Sequence, residues 1–214
     1  MSHVQIRLLS FDPGLSTTGW NVSQYDTKTC KLRVLRFGML TPNQDADTPQ
    51  NRDFVRKYGQ RIMTLSELRI QVRALVDANS PDIIVSEDAF YNPVRPSAYC
   101  ALLQWITTLD LLLHDEYQKV LFKISPALAK RVTSGFGMAT KKGMQYAILH
   151  QEDIEFKPKV VDGNLTEHIC DSIGIAYTFC HEIFPSLHDL WTYGYIRKPN
   201  EPVPSPSEIR SHYC

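Results

Sequence analysis

The sequence predicts an α/β fold: a five-stranded mixed sheet, three antiparallel strands plus two parallel, flanked by helices. Three observations carry this. Three strand-like stretches near the start are joined by links too short for a crossover. An amphipathic helical pattern then leads into a short apolar run, the strand–helix–strand order that makes parallel pairs. A second helix and a second short apolar run repeat it.

The elements follow in order. Residues 4–11 (VQIRLLSF), 18–25 and 31–40 (KLRVLRFGML) are rich in Val, Leu and aromatics and read as an antiparallel meander. Residues 41–50 (TPNQDADTPQ) read as a polar loop. From Asp53 to Ala78, apolar residues recur at Val55, Tyr58, Ile62, Leu65, Leu68, Val72 and Leu75, which predicts one amphipathic helix ending at Ser80-Pro81. DIIVSE, residues 82–87, is a buried strand with a carboxylate at its far end.

Residues 97–116 form a helix that is apolar on more than one face, predicting full burial or a dimer interface. KVLFKI, 119–124, is the fifth strand. Short helices around 126–133 and 140–150 flank SGFGMA, and 164–184 forms the last long helix. The domain is therefore expected over 1–185, with a Pro-rich tail over 186–214.

The chain of 214 residues carries 23 Lys+Arg against 23 Asp+Glu, a net charge of zero. Its distribution is uneven. Lys119, Lys123, Lys130, Arg131, Lys141 and Lys142 follow one another with no Asp or Glu between them. Arg52, Arg56, Lys57, Arg61, Arg69 and Arg73 face only Asp53 and Glu67. Such local patches suit a phosphate backbone, and they equally suit solvated helix faces. The five cysteines form no CxxC pair, which disfavours zinc; Cys100 and Cys170 sit in apolar patterns expected to bury them. No membrane span and no signal peptide are expected, which predicts a cytoplasmic protein without disulfides.

Asp12 ends the first strand, Glu87 ends the fourth, and His168 and Asp171 lie three apart on the last helix. If the first and fourth strands are neighbours, two carboxylates stand side by side and raise each other's pKa. A hard divalent cation relieves that repulsion; Mg²⁺ takes oxygen ligands, and Mn²⁺ also accepts imidazole. Each residue has a plainer reading. Asp12 can bond the Asp-Pro-Gly turn, Glu87-Asp88 can be a solvated strand end, and a helix His is more often no ligand. Asn164-x-x-Glu167 reads as a helix cap with its partner, so His168 is preferred over Glu167 as the ligand.

FDPGLSTTGW, VSED with Phe90 after it, GFGMATK and EHICDSIGIA, in that order, resemble the RuvC family of Holliday-junction resolvases. The resemblance covers roughly residues 4–184 and implies the RNase H-like fold. It implies that Asp12, Glu87, His168 and Asp171 are catalytic ligands of two Mg²⁺ or Mn²⁺ ions. It places Phe90 as a wedge at the junction centre, with Lys130 and Lys141 near the scissile phosphate and the backbone, Lys141 as a catalytic residue stabilising charge on the phosphate. Gly135 and Gly137 then lie in a turn that approaches DNA, with Arg131 and Lys142 beside it as further DNA-binding residues. The implied activity is paired symmetric nicking of four-way junctions by a homodimer, leaving 5′-phosphates. His168, the long 41–50 loop, YNPVRPSAY and the tail depart from the family pattern. A divergent, for example phage-encoded, member acting in the host-cell cytoplasm would carry such changes.

Other readings stay open on the residues alone. A nuclease of the same fold acting on flaps, forks or RNA/DNA hybrids uses the same patches. A non-catalytic branched-DNA-binding protein needs no complete carboxylate set. An actin-like phosphate-binding ATPase also opens on a strand–turn–strand, but needs two such domains.

Overall fold

A computed structural model of the chain describes residues 4–42, 48–91, 93–157 and 165–187. The strands are β1 (Gln5–Asp12), β2 (Thr18–Asp26), β3 (Lys31–Leu40), β4 (Ile83–Glu87), β5 (Leu121–Ile124) and β6 (Ile154–Phe156). The helices are α1 (Pro49–Tyr58), α2 (Gln60–Asn79), α3 (Pro96–Tyr117), α4 (Pro126–Ser134), α5 (Lys141–His150) and α6 (Glu167–Thr178). The last of these runs on through a π-helical turn at Phe179–Ile183.

The sheet order is β5-β4-β1-β2-β3-β6. The meander β1-β2-β3 is antiparallel, whereas β4 lies parallel to β1 and β5 parallel to β4. That is the expected mixed sheet with one strand more. β6 pairs parallel with β3 and consists of three residues, too few to show a period.

Strand alternation divides the interior into two layers. Ile6 and Leu8 of β1 pack under α4, α5 and α6, while Leu9 and Phe11 face α2 and α3. The same alternation puts Ile83 and Val85 of β4 on the α6 side and Ile84 on the other. Ser10 and Asp12 continue the first row on β1, and Glu87 continues it on β4. The register Phe11 to Ser86 then sets Asp12 and Glu87 next to each other, at the carboxyl ends of central parallel strands.

Three sequence expectations need correction. The helix expected across 53–78 is two helices. Gly59, at φ 88, ends α1 and begins α2, and only glycine takes that backbone without strain. Tyr58 and Ile62, beside this break, are therefore exposed rather than on the buried stripe. Cys100 is exposed, near the start of α3, while Cys170 is buried as expected. The helix expected to end at 184 continues to 187, and the rest of the tail lies outside the described residues.

The apolar helix 97–116 is resolved into sides. Trp105, Ile106, Leu109, Leu112 and Leu113 are buried against the sheet, and Leu103 and Leu111 are exposed. Part of the basic patch on α2 serves this packing. Arg69 and Arg73 both bond Glu116 of α3, and Arg61 bonds Gln104. No helix among the described residues is long and apolar enough to cross a membrane.

Candidate active site

Asp12 is the last residue of β1 and is only 7% exposed. The turn after it is closed by Thr18 rather than by Asp12. The Thr18 hydroxyl donates to the Gly14 carbonyl (2.8 Å) and accepts from the Gly14 N–H (3.2 Å). Trp105 Nε1 of α3 donates to the same hydroxyl (3.1 Å), so a fully buried indole pins the turn from below. The Asp12 carboxylate is thereby left for its neighbours across the sheet.

Those neighbours come from α6. His168 Nδ1 hydrogen-bonds Asp12 Oδ2. Close approach of α6 depends on Gly19, the residue opposite Asp12 on β2. A Cβ at Gly19 would run into the His168 carbonyl and lie 2.8 Å from the His168 Cβ. Only a residue without a side chain lets the helix settle there.

One turn further in, a buried polar network binds α6 to the two strands. Ser10 Oγ donates to the Ser172 carbonyl (2.8 Å), and Ser172 Oγ donates to the Ile169 carbonyl (2.8 Å). Asn21 Nδ2 donates to both Ser10 Oγ and Ser172 Oγ, and Ser23 Oγ donates to Asn21 Oδ1. Ser10, Asn21, Ser23 and Ser172 are all fully buried. A satisfied network of this kind fixes one docking geometry, because any slip would strand buried polar groups at about 1–3 kcal/mol each. Asp171 directly precedes Ser172 on α6, within reach of the charges of Asp12 and Glu167.

The electrostatics follow from this crowding. Burial, then the charges of Asp12 and Asp171, pushes Glu87 up to about 8, and a hydrogen bond with Asp12 adds to the shift. Burial, then Asp12 and Glu167, pushes Asp171 up to about 6. The Asp12 hydrogen bond raises the His168 pKa against the opposing effect of burial. Lys130, half-buried on α4, acts on Glu87 and Asp171 in the opposite direction.

The structure thus brings Asp12, Glu87, His168, Asp171 and Lys130 together. Lys141, first residue of α5, comes to the rim, where its Nζ pairs with Glu167 Oε1 at 2.6 Å. Glu167 is therefore an ion-pair partner. Its expected capping role does not hold, because the cap of α6 is Thr166, and Asn164 lies outside the described residues. Gly135 caps α4 at φ 75, and Gly137 sits 3.4 Å, measured from an added Cβ, from the Ala127 carbonyl. Arg131 and Lys142 are exposed and do not enter the carboxylate cluster. Phe90 stands 68% exposed beyond β4, whereas Asp88 is absorbed locally by the Ala89 N–H.

Three carboxylates and an imidazole are the donor set a hard divalent cation takes. Burial first, and neighbouring carboxylates second, raise the proton affinities of Glu87 and Asp171, and such a cation would offset both. Among the described residues no three such side chains yet converge around one point. The donors fit in kind, and their elements bring them to one end of the sheet.

No family model matches the chain. It is 23% identical over 175 residues to the crossover junction endodeoxyribonuclease RuvC of Alkaliphilus metalliredigens, covering 81% of this chain and 92% of that protein. It is 24% identical over 176 residues to the protein of the same name from Dictyoglomus thermophilum, covering 82% and 96%. Its fold matches that of T. thermophilus RuvC in complex with Holliday junction substrate, with a TM-score of 0.60 at 15% identity over 86% of this chain and 96% of that one.

Proposed function

We propose, from this chain's standing as a divergent relative of the RuvC Holliday-junction resolvases, that it is a metal-dependent endonuclease resolving four-way DNA junctions. The observation that carries the reading is the meeting of Asp12, Glu87 and Asp171 beside His168 and Lys130, at the carboxyl ends of β1 and β4. The expected products are paired symmetric nicks with 5′-phosphates.

Asp12 stands between Glu87 and His168 and is the residue best placed to serve two ions at once. Glu87, Asp171 and His168 would complete the ligand set for two Mg²⁺ or Mn²⁺ ions. Bound ions supply Lewis-acid activation of the attacking water and stabilise the leaving 3′ oxygen. Glu87 must give up its proton first, so its raised pKa makes loading a proton exchange. Lys130 adds positive charge where the phosphate lies. Lys141 exchanges Glu167 for a phosphate oxygen when DNA arrives. Phe90, exposed beside the site, inserts at the junction centre.

A four-way junction presents two strands of like polarity, which a two-fold homodimer meets with two identical sites. Ile62 and Ile70 of α2, with Leu103 and Leu111 of α3, are exposed apolar residues on the layer opposite α6 and form the candidate interface.

The test is a cleavage assay on a labelled four-way junction, a flap, a linear duplex and an RNA/DNA hybrid. Mg²⁺, Mn²⁺ and EDTA lanes run beside Asp12→Asn. Symmetric junction nicks, lost in EDTA and in the variant, are expected. Cleavage of flaps or hybrids instead would keep the site and change the substrate. Tight junction binding without cleavage would make the protein a binding module.

A further inference from the structure

Between α4 and α5 lies a groove of about 590 Å³, lined by Phe136, Ala139, Gly143, Tyr146, His150 and Gln151 among others. The carboxylate cluster does not use it. We propose that this groove is a stacking pocket for an unpaired base of the substrate DNA, an inference that rests on the nuclease reading above.

The first argument is the state of the aromatic rings. Phe136 is 63% exposed and Tyr146 is 65% exposed, although a sizeable core lies beneath both helices. Each is held outward by local structure. Gly135, at φ 75, turns the chain out of α4, and the Phe136 N–H donates to Ser134 Oγ (3.4 Å). Tyr146 stacks on His150, with centroids 4.0 Å apart and planes 20° from parallel. His150 Nδ1 donates to the Tyr146 carbonyl (2.8 Å). The rings are thus presented as planar platforms with a polar edge. Nucleic acid bases stack on such platforms without regard to sequence.

The second argument is charge. The sequence has no Asp or Glu from Gln118 to Gln151, a stretch that contains both helices. Lys142 lies one turn before Tyr146 on α5, and Arg131 one turn before Gly135 on α4. Among the described residues neither forms an ion pair, whereas Lys31, Arg33, Arg69, Arg73 and Lys123 all do. Cations left unpaired beside exposed rings match a single strand, whose phosphates and bases alternate.

The third argument is continuity. The groove opens at Ala139 and Gly143, beside the start of α5. Lys141 stands there with its Nζ on Glu167, at the rim of the carboxylate cluster. A strand gripped at the cluster therefore reaches the groove without leaving basic surface. From Gly143 to His150 the helix advances about 10 Å, room for a base or two.

The experiment is an anisotropy titration of labelled oligothymidylate, about twelve nucleotides long, with the full chain in EDTA. Tyr146→Ala and Phe136→Ala are each expected to weaken binding roughly 5- to 150-fold, with Tyr146→Phe close to wild type. Lys142→Ala should lower the salt slope by about 0.7. Strands carrying 5-iodouracil should cross-link to the peptide containing Phe136 or Tyr146. Wild-type binding by both alanine variants, or no binding by the wild type, overturns the pocket. Thermal melts accompany each variant, and if an alanine variant melts early, Phe136→Leu and the cross-link decide. Junction cleavage is followed in parallel. Intact cleavage with insensitive oligothymidylate binding overturns the pocket alone. Tyr146-dependent binding without any cleavage keeps the pocket and overturns the nuclease.

Discussion

Asp12 illustrates how much a single residue can hold in common. It hydrogen-bonds His168, shifts Glu87 and Asp171 upward, and leaves the turn after it to Thr18. Asp12→Asn keeps the shape and removes the charge, so cleavage is expected to vanish while junction binding persists; loss of both would assign Asp12 to folding. A second prediction concerns protons. Glu87 binds its proton more tightly folded than unfolded, so its contribution to metal-free stability is full below its ordinary pKa and is lost as pH rises toward about 8. Melts in EDTA at about pH 5.5 and about pH 8 should show wild type losing stability relative to Glu87→Gln. His181, whose pKa burial lowers, acts in the opposite direction and cancels in that comparison. On the proposed ligand set, metal affinity should rise over the same interval, because His168, Asp171 and Glu87 would surrender protons to bind. The carboxylates were legible in the sequence because strand ends and a three-residue helical spacing leave a pattern. Lys130's half-buried approach and Lys141's bond to Glu167 depend on side-chain reach between α4, α5 and α6, which no pattern along the chain encodes.

Elements are set by what they may touch. α6 docks where it does because Gly19 clears its path and Asn21 supplies its hydrogen bonds. Gly19→Ala is expected to push α6 from β2 and to weaken metal binding far more than an alanine elsewhere on β2. Asn21→Ala leaves the buried Ser23 hydroxyl without its acceptor and should cost about 1–3 kcal/mol in chemical denaturation. The alternation Gly19, Asn21, Ser23 on a buried strand was a signal available in the sequence, since polar residues on an inward face demand partners. The break at Gly59 was less visible, because the apolar period runs across it unchanged. β6 had no signal of its own. Its three residues are defined by bonds to β3, such as Leu32 N–H to the Asp153 carbonyl (2.8 Å).

At the scale of the molecule, the two layers divide the labour. The α6 side carries the carboxylates and the basic helices, while the α2–α3 side presents Ile62, Ile70, Leu103 and Leu111 to solvent. Leu111→Glu is expected to shift a dimer to monomer in sedimentation and to convert paired cuts into single nicks. The mixed sheet was legible because its connections alternate so plainly. The division of the apolar helix between core and exterior was not, since periodicity marks apolar faces without saying which is covered.

The order of the site along the chain has a consequence for its biosynthesis. Asp12 and Glu87 belong to early segments, while His168 and Asp171 belong to the last helix of the described fold. A nascent chain that stops short of α6 lacks two of the four proposed ligands. Its Ser10 and Asn21 also lose their partner Ser172. On the nuclease reading, cutting therefore waits until α6 has been made and docked.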